Sequence, residues 1–179
     1  MNNQHTEATR KKLREAAFFL CKLAEVDRAL LNHDEPEDAD FYLSAFLTAA
    51  RAVQFALHKE RAKDWEAWIG GWVSTRTPDQ LKSYDYLVDQ RNKVEKQGGP
   101  EITITVSTVS VQEFMREVGN RGASFFMTQM PGLPPPTFSK QTTTLIAHPE
   151  QRLSVTCQPL YDVMKDLVED FERDHPPPT

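Results

Sequence analysis

Arg91 and Asn92 stand side by side in "DQRNKVEKQGGP", residues 89–100, and Lys96 follows Asn92 by four residues. An arginine offers a planar fork that can hold a phosphate at two points, and a lysine adds a compact point charge. With Lys93 these residues make a small cationic group suited to a phosphate. The same spacing also has a plainer reading. Arg91 and Glu95 are four apart, as in a helical surface ion pair. Lys93 and Lys96 would then be cations near the electronegative end of a helix. A second cation, Arg51, is polar within the apolar segment "FYLSAFLTAARAVQFALHKE" (41–60), with Ser44 two turns before it. It could line the same cleft as Arg91, or simply pair with a carboxylate such as Asp85 or Asp89.

Little else in the chain is arranged for chemistry. There is no phosphate-cradling glycine loop, no GxSxG and no HExxH. His5, His33, His58, His148 and His175 are scattered, with His5 and His175 near the chain ends and His33 and His148 in turns. Only His58 falls firmly on a helix, as a partly exposed structural residue. Cys21 and Cys157 are far apart and lack metal-ligand spacing, so two reduced thiols in a cytoplasmic protein are expected. The N-terminus lacks the pattern of a signal peptide, and no apolar run is long enough to span a bilayer. Neither metal nor cofactor is expected. The net charge of −5 argues against binding nucleic acid over the whole surface, while leaving room for a local basic pocket.

The elements that must position these residues are mostly helical. Apolar positions from Thr6 to Leu31 form an amphipathic stripe. The acidic run "NHDEPEDAD" reads as a helix start rather than a metal site, since Pro36 suits the first helical position and carboxylates suit its positive end. The helix it opens keeps the i, i+3, i+4, i+7 pattern from Tyr42 to Leu57. Trp65, Trp68 and Trp72 form a stripe on a short helix, better suited to core packing than to a ligand platform. Gly70 and Gly71 should weaken that helix. "TPDQ" combines a Thr77 cap, Pro78 and Gln80 into a capping box, so a helix should run from 78 to 97 and end at Gly98, Gly99 and Pro100. The opening cluster therefore lies on its last two turns.

Beyond Pro100 the pattern alternates, with "EITITVSTV" as a strand and "ASFFMTQM" as a second candidate. "PGLPPPTF" reads as an extended connector. "TTTLIA" and "RLSVTC", either side of "HPEQ", read as a β-hairpin. A last helix opens at Pro159 and runs along Leu160, Val163, Met164, Leu167, Val168 and Phe171. The expected fold is mainly α (α+β): an up-and-down bundle of about four long helices with a small antiparallel β insertion before the C-terminal helix. The expected division is 1–100 bundle, 101–157 β-rich insertion, and 158–179 closing helix with a frayed tail.

Residues 8–99 resemble the HEPN superfamily of small helical bundles. "FYLSAFLTAARAVQFALHKE" is similar to the family's second helix, and "DQRNKVEKQGG" to its Arg-Asn-x-x-x-His-x-Gly signature. Arg91, Asn92 and Gly98 match that signature, and Lys96 stands where the family has histidine. The resemblance implies a homodimer in which two motif copies share one cleft. Active members are metal-independent endoribonucleases that use the RNA's own 2′-hydroxyl as nucleophile. A histidine, with a pKa near 6.5, can exchange the protons this needs, whereas a lysine near 10.4 stays charged. The leading expectation is thus a catalytically degenerate binding or regulatory module that keeps phosphate contacts to RNA or a nucleotide through Arg91, Lys93, Lys96 and Arg51. The alternatives are an endoribonuclease using Arg91, Asn92 and Lys96, and a scaffold whose β insertion captures a protein partner by strand addition.

Overall fold

A computed structural model describes residues 6–28, 36–97, 102–110, 137–145 and 151–176; residues 91–97 and, Thr144 apart, both strands are described by their backbone. Among the described residues, five helices make a helical bundle: α1 (Glu7–Arg28), α2 (Pro36–Glu60), α3 (Ala62–Ser74), α4 (Pro78–Gln97) and α5 (Leu153–Asp174). Two strands, β1 (Ile102–Ser110) and β2 (Thr137–Leu145), pair antiparallel between α4 and α5, with Ile102 opposite Leu145 and Ser110 opposite Thr137.

Hydrophobic burial sets the arrangement. Leu23 of α1, Leu43, Phe46, Val53 and Leu57 of α2, and Leu153, Leu167 and Phe171 of α5 are fully buried together. These are the apolar stripes of three amphipathic helices brought face to face.

Polar contacts at the helix ends fix direction. Glu60, ending α2, accepts from the backbone N–H groups of Ala8 (2.8 Å) and Thr9 (3.1 Å), which start α1. Those are N–H groups with no partner inside their own helix. Glu172 on α5 binds Thr6 and Arg10, while Asp27 near the end of α1 accepts from the Ser154 backbone N–H at 2.8 Å. So α1 runs antiparallel to both α2 and α5. Gln80 of α4 reaches Asp166 of α5, and the earlier Arg76 pairs with Asp170, so α4 runs back along α5. It follows that α4 is antiparallel to α2.

Local signals explain most boundaries. α2 opens at Pro36, and α4 opens at Pro78 behind its capping box. There the Thr77 N–H donates to Gln80 Oε1 at 3.0 Å, and the Gln80 N–H to Thr77 Oγ1 at 3.3 Å. Trp65 and Trp72 are buried and Trp68 half-buried, so the tryptophan stripe belongs to the core. Trp68 Nε1 donates to Asp174 at 2.9 Å and Trp72 Nε1 to Asp170 at 3.0 Å, docking α3 on the end of α5. Gly70 and Gly71 remain helical, and a Cβ at either position would meet open space. α3 thus tolerates them because its indoles anchor it.

One expectation fails clearly. Leu153–Cys157, assigned to the second strand of a hairpin with 142–147, form the first turns of α5. Leu153, Cys157 and Leu160 continue the buried stripe at helical spacing, and an apolar run this short fits either period. Pro159 lies inside the helix rather than at its start. It leaves the Val155 carbonyl without its usual helical donor, at a residue that is 55% exposed to water. β2 pairs with β1 instead of with 152–157. His175, expected to fray, stacks on Phe171 with ring centroids 4.5 Å apart. Residues 111–118, the "ASFFMTQM" segment, His5, His33 and His148 lie outside the described residues.

Candidate functional site

The two segments that suggest chemistry occupy neighbouring helices. Residues 41–60 lie in α2, and Arg91, Asn92, Lys93 and Lys96 lie on the last two turns of α4, which ends at Gln97. The side chains of these four residues, and Gly98, are outside the described residues. Their helix is placed by what comes before them. Gln80 and Tyr86 set α4 against α5, and burial pushes the Tyr86 hydroxyl up to about 12, helped by the nearby negative charge of Asp89.

Tyr84 sets the other face of α4 against α2. Its hydroxyl meets Arg51 and Gln54. Burial disfavours the phenolate and raises the pKa, and it outweighs the opposing pull of the Arg51 charge and of the bonds from Arg51 and Gln54. Arg51 itself donates to Gln54 Oε1, and its guanidinium carbon lies 4.7 Å from the Phe55 ring centroid. The planar cation is therefore held in place by a ring and two polar neighbours. Arg91 stands seven residues after Tyr84, about 10.5 Å further along the same helix. Arg51 thus adjoins the helix that carries the cationic cluster.

Ser44, two turns before Arg51, faces α1 instead of α4. It lines a groove of about 330 Å³ between α1 and α2, with Lys12, Glu15, Phe19 and Thr48. Nothing in the sequence singles Tyr84 out for this role. No spacing rule links residues 51 and 84; only the antiparallel packing does.

The other polar clusters are structural. His58 is exposed, 3.6 Å from Glu66. Among the described residues, no group of three or more His, Cys, Asp or Glu could hold a metal ion. Cys21 and Cys157 are free thiols, and burial raises the Cys157 thiol far above its ordinary value.

Glu172 ties α5 to α1. Arg10 Nε lies 2.7 Å and Nη2 2.5 Å from its two oxygens, and Thr6 Oγ1 lies 2.5 Å away. Burial alone would raise this carboxyl, but the bonds from Arg10 and Thr6 win and lower it. A depressed carboxylate stabilises the fold above its unfolded pKa, and that contribution is lost as pH falls through the folded value. Glu172→Gln is expected to cost about 1 kcal/mol at pH 7, given a half-exposed Arg10. Urea unfolding at pH 7 and at lower pH checks this: the gap between wild type and variant should narrow as the pH falls.

Among the described residues, no helix is long and apolar enough to cross a membrane. No curated protein and no solved structure matches the chain. One family model does match, over residues 20–169, from the second half of α1 to near the end of α5. That match covers well over half of the sequence, and the chain belongs to the family described as bacteriophage lambda protein ea47.

Proposed function

We propose that this protein is a HEPN-like, dimeric binding or regulatory module whose altered motif holds phosphate of RNA or a nucleotide without cleaving it. The observation that supports this reading is the Arg51–Tyr84 contact, which sets a fixed cation from α2 against the helix bearing Arg91, Asn92, Lys93 and Lys96. Phosphate needs charge and N–H donors, which arginine and lysine supply without changing protonation state. Cleavage by a 2′-hydroxyl needs a proton acceptor near neutrality, and Lys96 is a poor one. Binding therefore survives where cutting does not.

Fluorescence anisotropy with a labelled single-stranded RNA tests the site. Arg91→Ala is expected to weaken binding roughly tenfold to a hundredfold, the worth of one charge-assisted contact. Binding that is unchanged by Arg91→Ala and by Arg51→Ala sinks the site. A second proposal, strand addition by a protein partner, draws support from the β1–β2 pair, since a two-stranded ladder presents outer edges.

A further inference from the structure

The geometry points to the solvent face of α2 as the surface on which a second copy of this chain docks, antiparallel, with the twofold axis at Thr48. This rests on the dimer in the reading above, but not on its phosphate chemistry. Six residues at helical spacing make the stripe: Phe41, Ser44, Thr48, Ala52, Phe55 and Lys59. Phe41 is 60% and Phe55 52% exposed, and Thr48 and Lys59 are exposed as well. The two rings stand about 21 Å apart along the helix, one towards each end of the face, with only small side chains between them.

What selects a second copy is the symmetry of the stripe. From Phe41 to Phe55 its steps are three, four, four and three residues, which read the same from either end, and these five residue types mirror about Thr48. Small Ser44 and Ala52 flank the centre, and a phenylalanine follows on each side. Turned end for end, Phe41 of one copy meets Phe55 of the other, twice over. The ends carry opposite charge: the first turn of α2 holds Glu37 and Asp38, and its last turn holds His58 and Lys59. Antiparallel docking therefore places each acidic end against a basic one, and each helix dipole against its reverse. The small central residues and the groove beside them let two backbones approach closely. An interface in which residue i meets j and j meets i is what a twofold dimer requires.

The consequence for the site is geometric. α1 flanks one side of the stripe and α4, through Arg51–Tyr84, the other. A twofold axis lying in the interface and crossing both helices keeps each flank on its own side. Both α4 helices then share one face of the dimer. Each Arg51 is three residues from Thr48, so the two arginines lie about 9 Å apart along the helix axes. The dimer thereby gathers two copies of the cationic group into one cleft.

Sedimentation equilibrium of the full chain tests this, with two variants. The wild type should weigh twice its 20.5 kDa chain. Thr48→Arg, which sets two like charges on the axis, should raise the dimer dissociation constant at least a hundredfold with an unchanged circular dichroism spectrum. In a Cys21→Ser background, Thr48→Cys should give a disulfide-linked dimer on mild oxidation. A monomeric wild type overturns the interface and the dimer together. A dimer that persists with Thr48→Arg and does not cross-link through residue 48 overturns this interface alone and leaves the phosphate reading standing.

Discussion

Phe171→Ala is expected to destabilise the protein by about 3–5 kcal/mol, the cost of removing a fully buried aromatic ring from a packed core. Phe171 is 0% exposed and belongs to the buried core, where α5 meets α3. The Trp68 ring meets it edge-on with centroids 5.1 Å apart, His175 stacks on it, and the Arg61 guanidinium carbon lies 5.6 Å from its centroid. Truncation therefore opens a cavity and also loosens α3, whose indoles depend on the same end of α5. Urea unfolding reads the loss directly. Phe18→Ala is the control: that ring is 55% exposed, and its removal should cost under about 1 kcal/mol. Similar losses for both would mean that α3 is not docked on α5 as described.

Lys96→His is expected to create cleavage where the wild type has none, with a gain of about 10²–10⁴-fold, the usual worth of one positioned acid–base group. The substitution changes the group's proton affinity and keeps its place on α4. A histidine pKa near 6.5 lets it take and return a proton at neutral pH, which a lysine near 10.4 does not do. A rate that falls below the histidine pKa and that Arg91→Ala abolishes would tie the gain to this motif. If no cleavage appears while the RNA still binds, the motif lacks more than its histidine. The other parts of an active cleft would then also have been lost.

The helices were legible where local chemistry decides. Pro36 and the Thr77–Pro78–Gln80 cap place two helix starts correctly, because proline and a capping side chain act on their own neighbourhood. The start of α5 was not legible, because it depends on Asp27, which accepts the Ser154 N–H from 127 residues away. Without that cap, Pro159 is the natural place to begin the helix. β2 was misread for a related reason: "TTTLIA" has strand character, but its partner lies in β1 rather than across the nearest turn. For the site, the sequence picks out Arg51 and the Arg91–Lys96 run separately. Tyr84, which places α2 against α4, carries no signal beyond an apolar stripe. The symmetry of the α2 face was present in the sequence throughout. Its meaning depends on which side of the helix faces water, and the structure settles that by burying Leu43, Phe46 and Val53 on the other side.

The central proposal is that the altered motif holds phosphate of RNA or a nucleotide and does not cut RNA. One gel tests this most directly: labelled single-stranded RNA incubated with stoichiometric wild-type protein in EDTA, then run under native and denaturing conditions. Retarded but intact RNA is the predicted result. RNA that runs free on the native gel, or that is cut in an Arg91-dependent way, contradicts the account.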